Sequence, residues 1–186
     1  MLSCYRYVKV INAFFVCLIY KVGWNRKISF GRGIKIVNGK NIFLGKNIFI
    51  RSNTDLFANE NIFIGNNCDI GVRNRIVGDV VIEDNVLIGP NNYIASVDHE
   101  YRDVQKPVMD QGGVKLNQFH DEILIKEGSW IGTNVAIIGC VHIGKHSVIG
   151  ANTVVNKDVP DYSVVVGNPA KIVKYYDFEK SAWVRL

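Results

Sequence analysis

The sequence predicts an all-β chain wound into a three-sided prism of stacked coils. Three observations predict it. An aliphatic residue returns every six positions: Leu44, Ile50 and Leu56, then Ile64, Ile70, Ile76, Ile82, Ile88 and Ile94, then Ile125, Ile131, Ile137, Ile143, Ile149 and Val155. A companion series lies two residues upstream, at Ile42, Ile48, Ile62, Val80, Val86, Ile123, Val135 and Val141. Gly and Asn fill the intervening positions, as in IFIGNN, VLIGPN, SWIGTN and VIGAN. Period six excludes an amphipathic helix, whose apolar stripe recurs at about 3.6 residues. Aliphatics at i and i+2 share one face of a strand, and Gly and Asn tolerate the positive φ of a tight corner. Three hexads close one turn, and no coil is stable until a neighbour stacks on it.

In chain order, residues 1–27 form an apolar and basic segment, expected to be helical. Its run VKVINAFFVCLIYK is too short, and too interrupted by Lys9 and Asn12, for a spanning helix of roughly 20 apolar residues. No small-residue cleavage site follows it. Ridges such as Val8, Ile11, Phe15 and Leu18 suit packing, and a membrane-surface helix is the alternative. The prism is expected over 28–174, with a two-residue slip near Asn59–Asn61. The repeat breaks over about 96–122, where charges, a proline and a Gly-Gly replace the aliphatic period. Breaks of this length in a compact domain are functional or disordered. Tyr101, Met109, Leu116 and Phe119 point to a loop that packs, on a neighbouring subunit for instance. Residues 175–186 leave room for a short helix or tail.

Charge is unevenly placed. Residues 1–54 hold ten of the 22 basic side chains and no acid, so the remaining chain carries 12 basic against 17 acidic residues. Such an end suits an anionic lipid surface, an anionic glycan or nucleic acid, or is simply a solvated basic face. Cys4, Cys17, Cys68 and Cys140 form no CxxC pair and no zinc-type spacing, which fits free thiols in a reducing cytoplasm.

With its hexads and the C-terminal stretches SWIGTNVAIIGC, VIGANTVVNKDVP and VVGNPAKIVK, the chain resembles the hexapeptide-repeat acetyltransferases. These include the galactoside, maltose and streptogramin enzymes and the polysaccharide O-acetyltransferases. The resemblance implies a left-handed parallel β-helix, a handedness that period alone does not supply. It also implies a homotrimer, acetyl-CoA as donor, no metal, and a sugar or glycan acceptor with no nucleic acid partner.

In that family a histidine at the start of such a loop is the catalytic base, and His99 is the residue that matches. Imidazole has a pKa suited to taking a hydroxyl proton near neutrality. Asp98 and Glu100 flank it, and either could fix its tautomer. By motif, Trp130 and Thr133 fall where pantetheine and thioester lie, with the Thr133 N–H as oxyanion donor. Ala151 falls beside the pantetheine arm, and Asn156, Lys157 and Lys171 fall near the nucleotide end. Family members often have threonine where Asn156 stands and arginine where Lys171 stands. Asp69, Asn91 and Tyr101 are candidate acceptor contacts.

The resemblance thus implies O-acetylation of a sugar in cell-surface polysaccharide assembly, in the cytoplasm and peripheral to the inner face of the membrane. A streptogramin-type or amino-sugar acetyltransferase stays open. So do a non-catalytic scaffold and a γ-class carbonic anhydrase, the last raised by His142 and His146 in VHIGKH. A catalytic zinc would want three imidazoles. His142 should point outward and His146 should sit in a corner.

Overall fold

A computed structural model describes residues 13–23, 27–115 and 122–186. The hexads form the prism expected of them, a parallel β-solenoid of about six turns. The first face stacks Ile28–Phe30, Ile48–Ile50, Asp69–Ile70, Leu87–Ile88, Trp130–Ile131, Val148–Ile149 and Ser163–Val166 in that order. The second face carries Lys35–Val37 below Tyr93–Ala95, Ala136–Ile138 and Val154–Val155, and the third carries Ile42–Leu44, Ile123–Ile125 and His142–Ile143. The strands Asp55–Ile64 and Arg75–Ile82 run around the corner between the second and third faces.

Both aliphatic series point inward. Ile48, Ile62, Ile70, Ile76, Ile82, Ile88, Ile94, Ile123 and Ile131 are buried to within one per cent. Each such side chain contributes about 1.5–3 kcal/mol relative to exposure. The slip at Asn59–Asn61 is a wider coil. Successive rungs there stand 20 residues apart rather than 18, and the register shifts between Ala58 and Ile62.

Polar residues inside the prism are satisfied from coil to coil. The Asn74 amide donates to the carbonyls of Gly71 (2.7 Å) and Gly89 (2.9 Å), and its Oδ1 accepts the N–H of Asn92 (2.8 Å). Asn92 repeats the pattern, donating to Gly89 and accepting from the Val135 N–H (2.7 Å). Outside, the corner asparagines stack. Asn47 donates to Asn67 (3.0 Å) and Asn67 to Asn85 (3.1 Å), all three near φ +60°. Short polar side chains visit this left-handed region at least cost.

Each end of the stack is capped. At the start, residues 13–20 of the segment 1–27 are helical, but a different ridge packs. Ala13 and Cys17 join the core, whereas Phe15 and Leu18 are 52 % and 63 % exposed. Val8 and Ile11 lie outside the described residues. At the far end, the expected short helix or tail is instead a β-hairpin. Lys171–Asp177 pairs antiparallel with Ser163–Val166 on one side and with Ala182–Arg185 on the other. The last coil leaves an unpaired strand edge, which a hairpin satisfies and a helix would not. Tyr162, Tyr176, Phe178 and Trp183 pack edge-to-face over this end, with ring centroids 4.9–5.5 Å apart.

Two corner and core substitutions separate these contributions. In urea unfolding, Ile94→Ala is expected to cost about 2–5 kcal/mol. Asn91, at φ +61°, should tolerate glycine within about 0.5 kcal/mol and lose about 1–2 kcal/mol as valine.

Candidate active site

The break leaves the prism just after the rung Tyr93–Ala95. Ser96, fully buried, roots it. Its N–H donates to the Val77 carbonyl (3.2 Å), its Oγ accepts the Asp79 N–H (2.8 Å), and its carbonyl accepts the Cys140 S–H (3.4 Å). Gly78 lies beneath, at φ +95°. A Cβ there would stand 2.1 Å from Ser96 Oγ, so the root requires glycine.

Beyond Ser96 the described residues 97–115 form an arm. Val97–His99 pairs antiparallel with Gly113–Lys115, with His99 opposite Gly113, and the Glu100 N–H continues the ladder to the Gly112 carbonyl (2.9 Å). Gln111 ties the tip, accepting the Asp103 N–H (3.0 Å) and donating to the carbonyls of Asp103 and Lys106 (2.8 Å each). Tyr101, Val104 and Met109 on this arm are 67 %, 89 % and 94 % exposed in the single chain. Leu116, Phe119 and His120 lie outside the described residues.

Between arm and prism runs a cleft of about 650 Å³. His99, Asp98 and Met109 line it from the arm, and Tyr93, Asp79 and Glu60 from three successive coils. Asp79 is buried, and its Oδ1 accepts the N–H groups of Glu60 (2.6 Å) and Asn61 (3.2 Å), which holds the widened corner beneath the arm. Three carboxylates thus face the cleft, and no Lys or Arg is among the described residues lining it. The imidazole of His99 is exposed at its mouth.

The carboxylates beside His99 are occupied elsewhere. Asp98 Oδ1 accepts the backbone N–H of His99 (2.8 Å). Glu100 Oε1 accepts the N–H groups of Arg102 (2.9 Å) and Tyr101 (3.0 Å) and the Arg102 Nε–H (2.8 Å). Those bonds, led by the Arg102 N–H, hold the Glu100 carboxyl below its usual range. Neither carboxylate is hydrogen-bonded to the imidazole.

The other sequence-selected residues fall into separate places. Trp130 stands outward on the first face in register with Leu87 and Val148, half exposed. Thr133 occupies the next corner, where its Oγ donates to the Pro90 carbonyl (3.0 Å) and its carbonyl accepts the Asn152 N–H (2.9 Å). Its own N–H has no backbone acceptor among the described residues. Ala151 repeats that corner one coil later, exposed. Asn156 and Lys157 are exposed beyond Val154–Val155, and Lys171 is exposed opposite Val166.

None of these six lines the cleft at His99. Nor do the three acceptor candidates. Asp69 is held on the first face by the Arg51 guanidinium (Nε–Oδ1 2.7 Å), Asn91 is a corner residue bonded by Arg73 Nε (2.7 Å), and Tyr101 projects from the arm. His142 sits outward on the third face and His146 in a positive-φ corner, stacked on Tyr162. Among the described residues no three His, Cys, Asp or Glu side chains converge as a metal site.

Glu60 and Asp79 were not selected from sequence. They meet His99 only because coils of about 18–20 residues stack, and laying the chain out in coils would have aligned them at one corner. The rooting of the arm can be checked directly. Gly78→Ala should lower the thermal midpoint by several degrees and speed tryptic cleavage within the arm at Arg102. Unchanged melting and cleavage would show that Ser96 does not anchor it.

Residues 122–157 match the family described as bacterial transferase hexapeptide (six repeats). A "probable acetyltransferase" of Mycobacterium tuberculosis is 38 % identical over 96 residues, 52 % of this chain and 30 % of that protein. The galactoside O-acetyltransferase of Lactococcus lactis is 34 % identical over 94 residues, 50 % of this chain and 42 % of that protein. The chain therefore spans less than half the length of these curated relatives. Among solved structures, AntD, an N-acyltransferase from Bacillus cereus in complex with dTDP and 3-hydroxybutyryl-CoA, superimposes with a TM-score of 0.69 at 18 % identity, covering 83 % of this chain and 82 % of AntD. A variant of perosamine N-acetyltransferase from Caulobacter crescentus, bound to CoA and GDP-perosamine, gives 0.60 at 19 % identity, covering 78 % of this chain and 55 % of that one. Residues 122–157 thus match the hexapeptide family, and the repeat, its corners and these structural likenesses give the chain the fold of a left-handed parallel β-helix.

Proposed function

We propose that this chain transfers acetyl from acetyl-CoA to a sugar hydroxyl in cell-surface polysaccharide assembly, with His99 as general base. The observation that carries this is the single break in a regular prism, which is rooted by buried groups and holds an exposed imidazole at the mouth of a cleft. A sugar hydroxyl binds there, Nε2 takes its proton, and the oxygen attacks the thioester carbonyl. The C–S bond then breaks, and the proton on His99 passes to the departing thiolate of CoA. No covalent enzyme intermediate is needed. The Thr133 N–H, with no backbone acceptor among the described residues, is assigned to the thioester oxygen as charge develops on it.

The donor residues assigned are Trp130, Thr133, Ala151, Asn156, Lys157 and Lys171. In one chain they stand apart from the His99 cleft, an arrangement that a cleft between two prisms of a homotrimer would complete. Exposed Leu87, Trp130, Val104 and Met109 supply apolar surface for such an assembly. A cytoplasmic location accompanies acetyl-CoA as donor.

An amino-sugar acceptor is a second reading, favoured by one observation: the carboxylates of Glu60, Asp79 and Asp98 line the cleft. Carboxylates hydrogen-bond sugar hydroxyls and also attract an ammonium group.

His99→Ala should lower kcat about 10²–10⁴-fold and leave KM for acetyl-CoA within about twofold. Undiminished acetyl transfer would exclude His99 as the base. Hydroxylamine treatment of the purified product separates the two acceptors, since an ester is cleaved and an amide is retained.

A further inference from the structure

We infer that the N-terminal end of the prism is a docking surface for an anionic lipid bilayer. The helix of residues 13–20 lies on that end as a cap. Ala13 and Cys17 enter the core, with Val16 and Tyr20 packed against it. The Tyr20 hydroxyl donates to the Ile34 carbonyl (3.4 Å), the Val22 N–H caps the Cys17 carbonyl (3.0 Å), and Gly39 approaches so closely that a Cβ would stand 1.8 Å from Tyr20 O.

At about 100° per residue, those four packed side chains occupy one side of the helix and Phe14, Phe15, Leu18 and Ile19 the other. These four are 42 %, 52 %, 63 % and 68 % exposed. A surface helix ordinarily turns polar residues outward, and this one turns out two phenylalanines, a leucine and an isoleucine.

Charge identifies the occupant. Lys21, Arg32, Lys35 and Lys40 are exposed on the helix end and first coil, and residues 1–54 contain no Asp or Glu. Apolar side chains rimmed by lysine and arginine are the composition of a helix lying in the interface of an anionic bilayer. Two copies meeting at this end would instead bring like charges together. Among the described residues no helix is long and apolar enough to cross a membrane, so the contact is interfacial. The His99 arm leaves three rungs above the first coil, which with the thickness of the helix cap places its root roughly 20–25 Å from the lipid surface.

The test uses the full chain and vesicles of phosphatidylglycerol in phosphatidylcholine, or of phosphatidylcholine alone, in a sedimentation assay. Binding to the anionic vesicles should be at least about tenfold tighter than to the neutral ones and should weaken at 0.5 M salt. Phe15→Ser with Leu18→Ser, and separately Lys35→Glu with Lys40→Glu, should each reduce it about tenfold or more. Both variants should keep the parent's melting midpoint within a few degrees and its acetyl transfer to a soluble acceptor. Equal binding to both vesicle types would overturn the inference, as would parental binding by either variant. Self-association without lipid that the Phe15/Leu18 variant abolishes would assign the face to a second copy instead.

Discussion

Every coil of this prism satisfies its backbone on the coils beside it. Ile48 donates to Lys27, Phe49 to Cys68, Asp69 to Val86, Leu87 to Ser129 and Trp130 to Ser147, each bond close to 3 Å. Within a face, neighbouring strands lie one rung apart and share register. This constraint governs what the chain can vary. An insertion is tolerated only if it leaves and returns at the same corner without displacing the ladder. The arm does so. Tyr93–Ala95 pairs upward with Ala136–Ile138, and Ile123–Ile125 pairs down with Val80–Ile82, as though nothing lay between. The same constraint requires closure at both ends, where a helix covers the first coil and a hairpin takes the last open edge.

The fold was legible because period six is incompatible with any helix and because inward positions admit only aliphatics or residues that bond to the next coil. The slip near Asn59–Asn61 is a wider corner, visible as a broken count. The capping elements were less legible, since no repeat constrains them. In AFFVCLIY all residues are apolar, so periodicity could not tell which ridge would meet the prism, and Ala13 and Cys17 proved to be the ones that fit. At the other end, Ile172, Tyr176, Trp183 and Val184 carry strand-type side chains. Their strand character is realised because the edge of Ser163–Val166 needs a partner.

Of the site, His99 was marked by its place at the break, and the structure puts it on a cleft. Glu60 and Asp79 were hidden because proximity along a solenoid is set by coil length rather than by sequence distance. Asn91 and Asp69 looked available as polar residues near active coils, yet one serves a corner and the other an ion pair with Arg51. The Asp79 carboxylate links fold and site in one group. It holds the corner at Glu60 and Asn61 and also forms the wall of the cleft below His99.

The central claim is that the break in the repeat is where acetyl transfer occurs. A crystal structure of the chain bound to CoA tests it most directly. The account predicts the CoA sulfur about 3–4 Å from the imidazole of His99, with a Thr133 N–H directed at the thioester position. CoA seated with its thiol remote from His99 would contradict it.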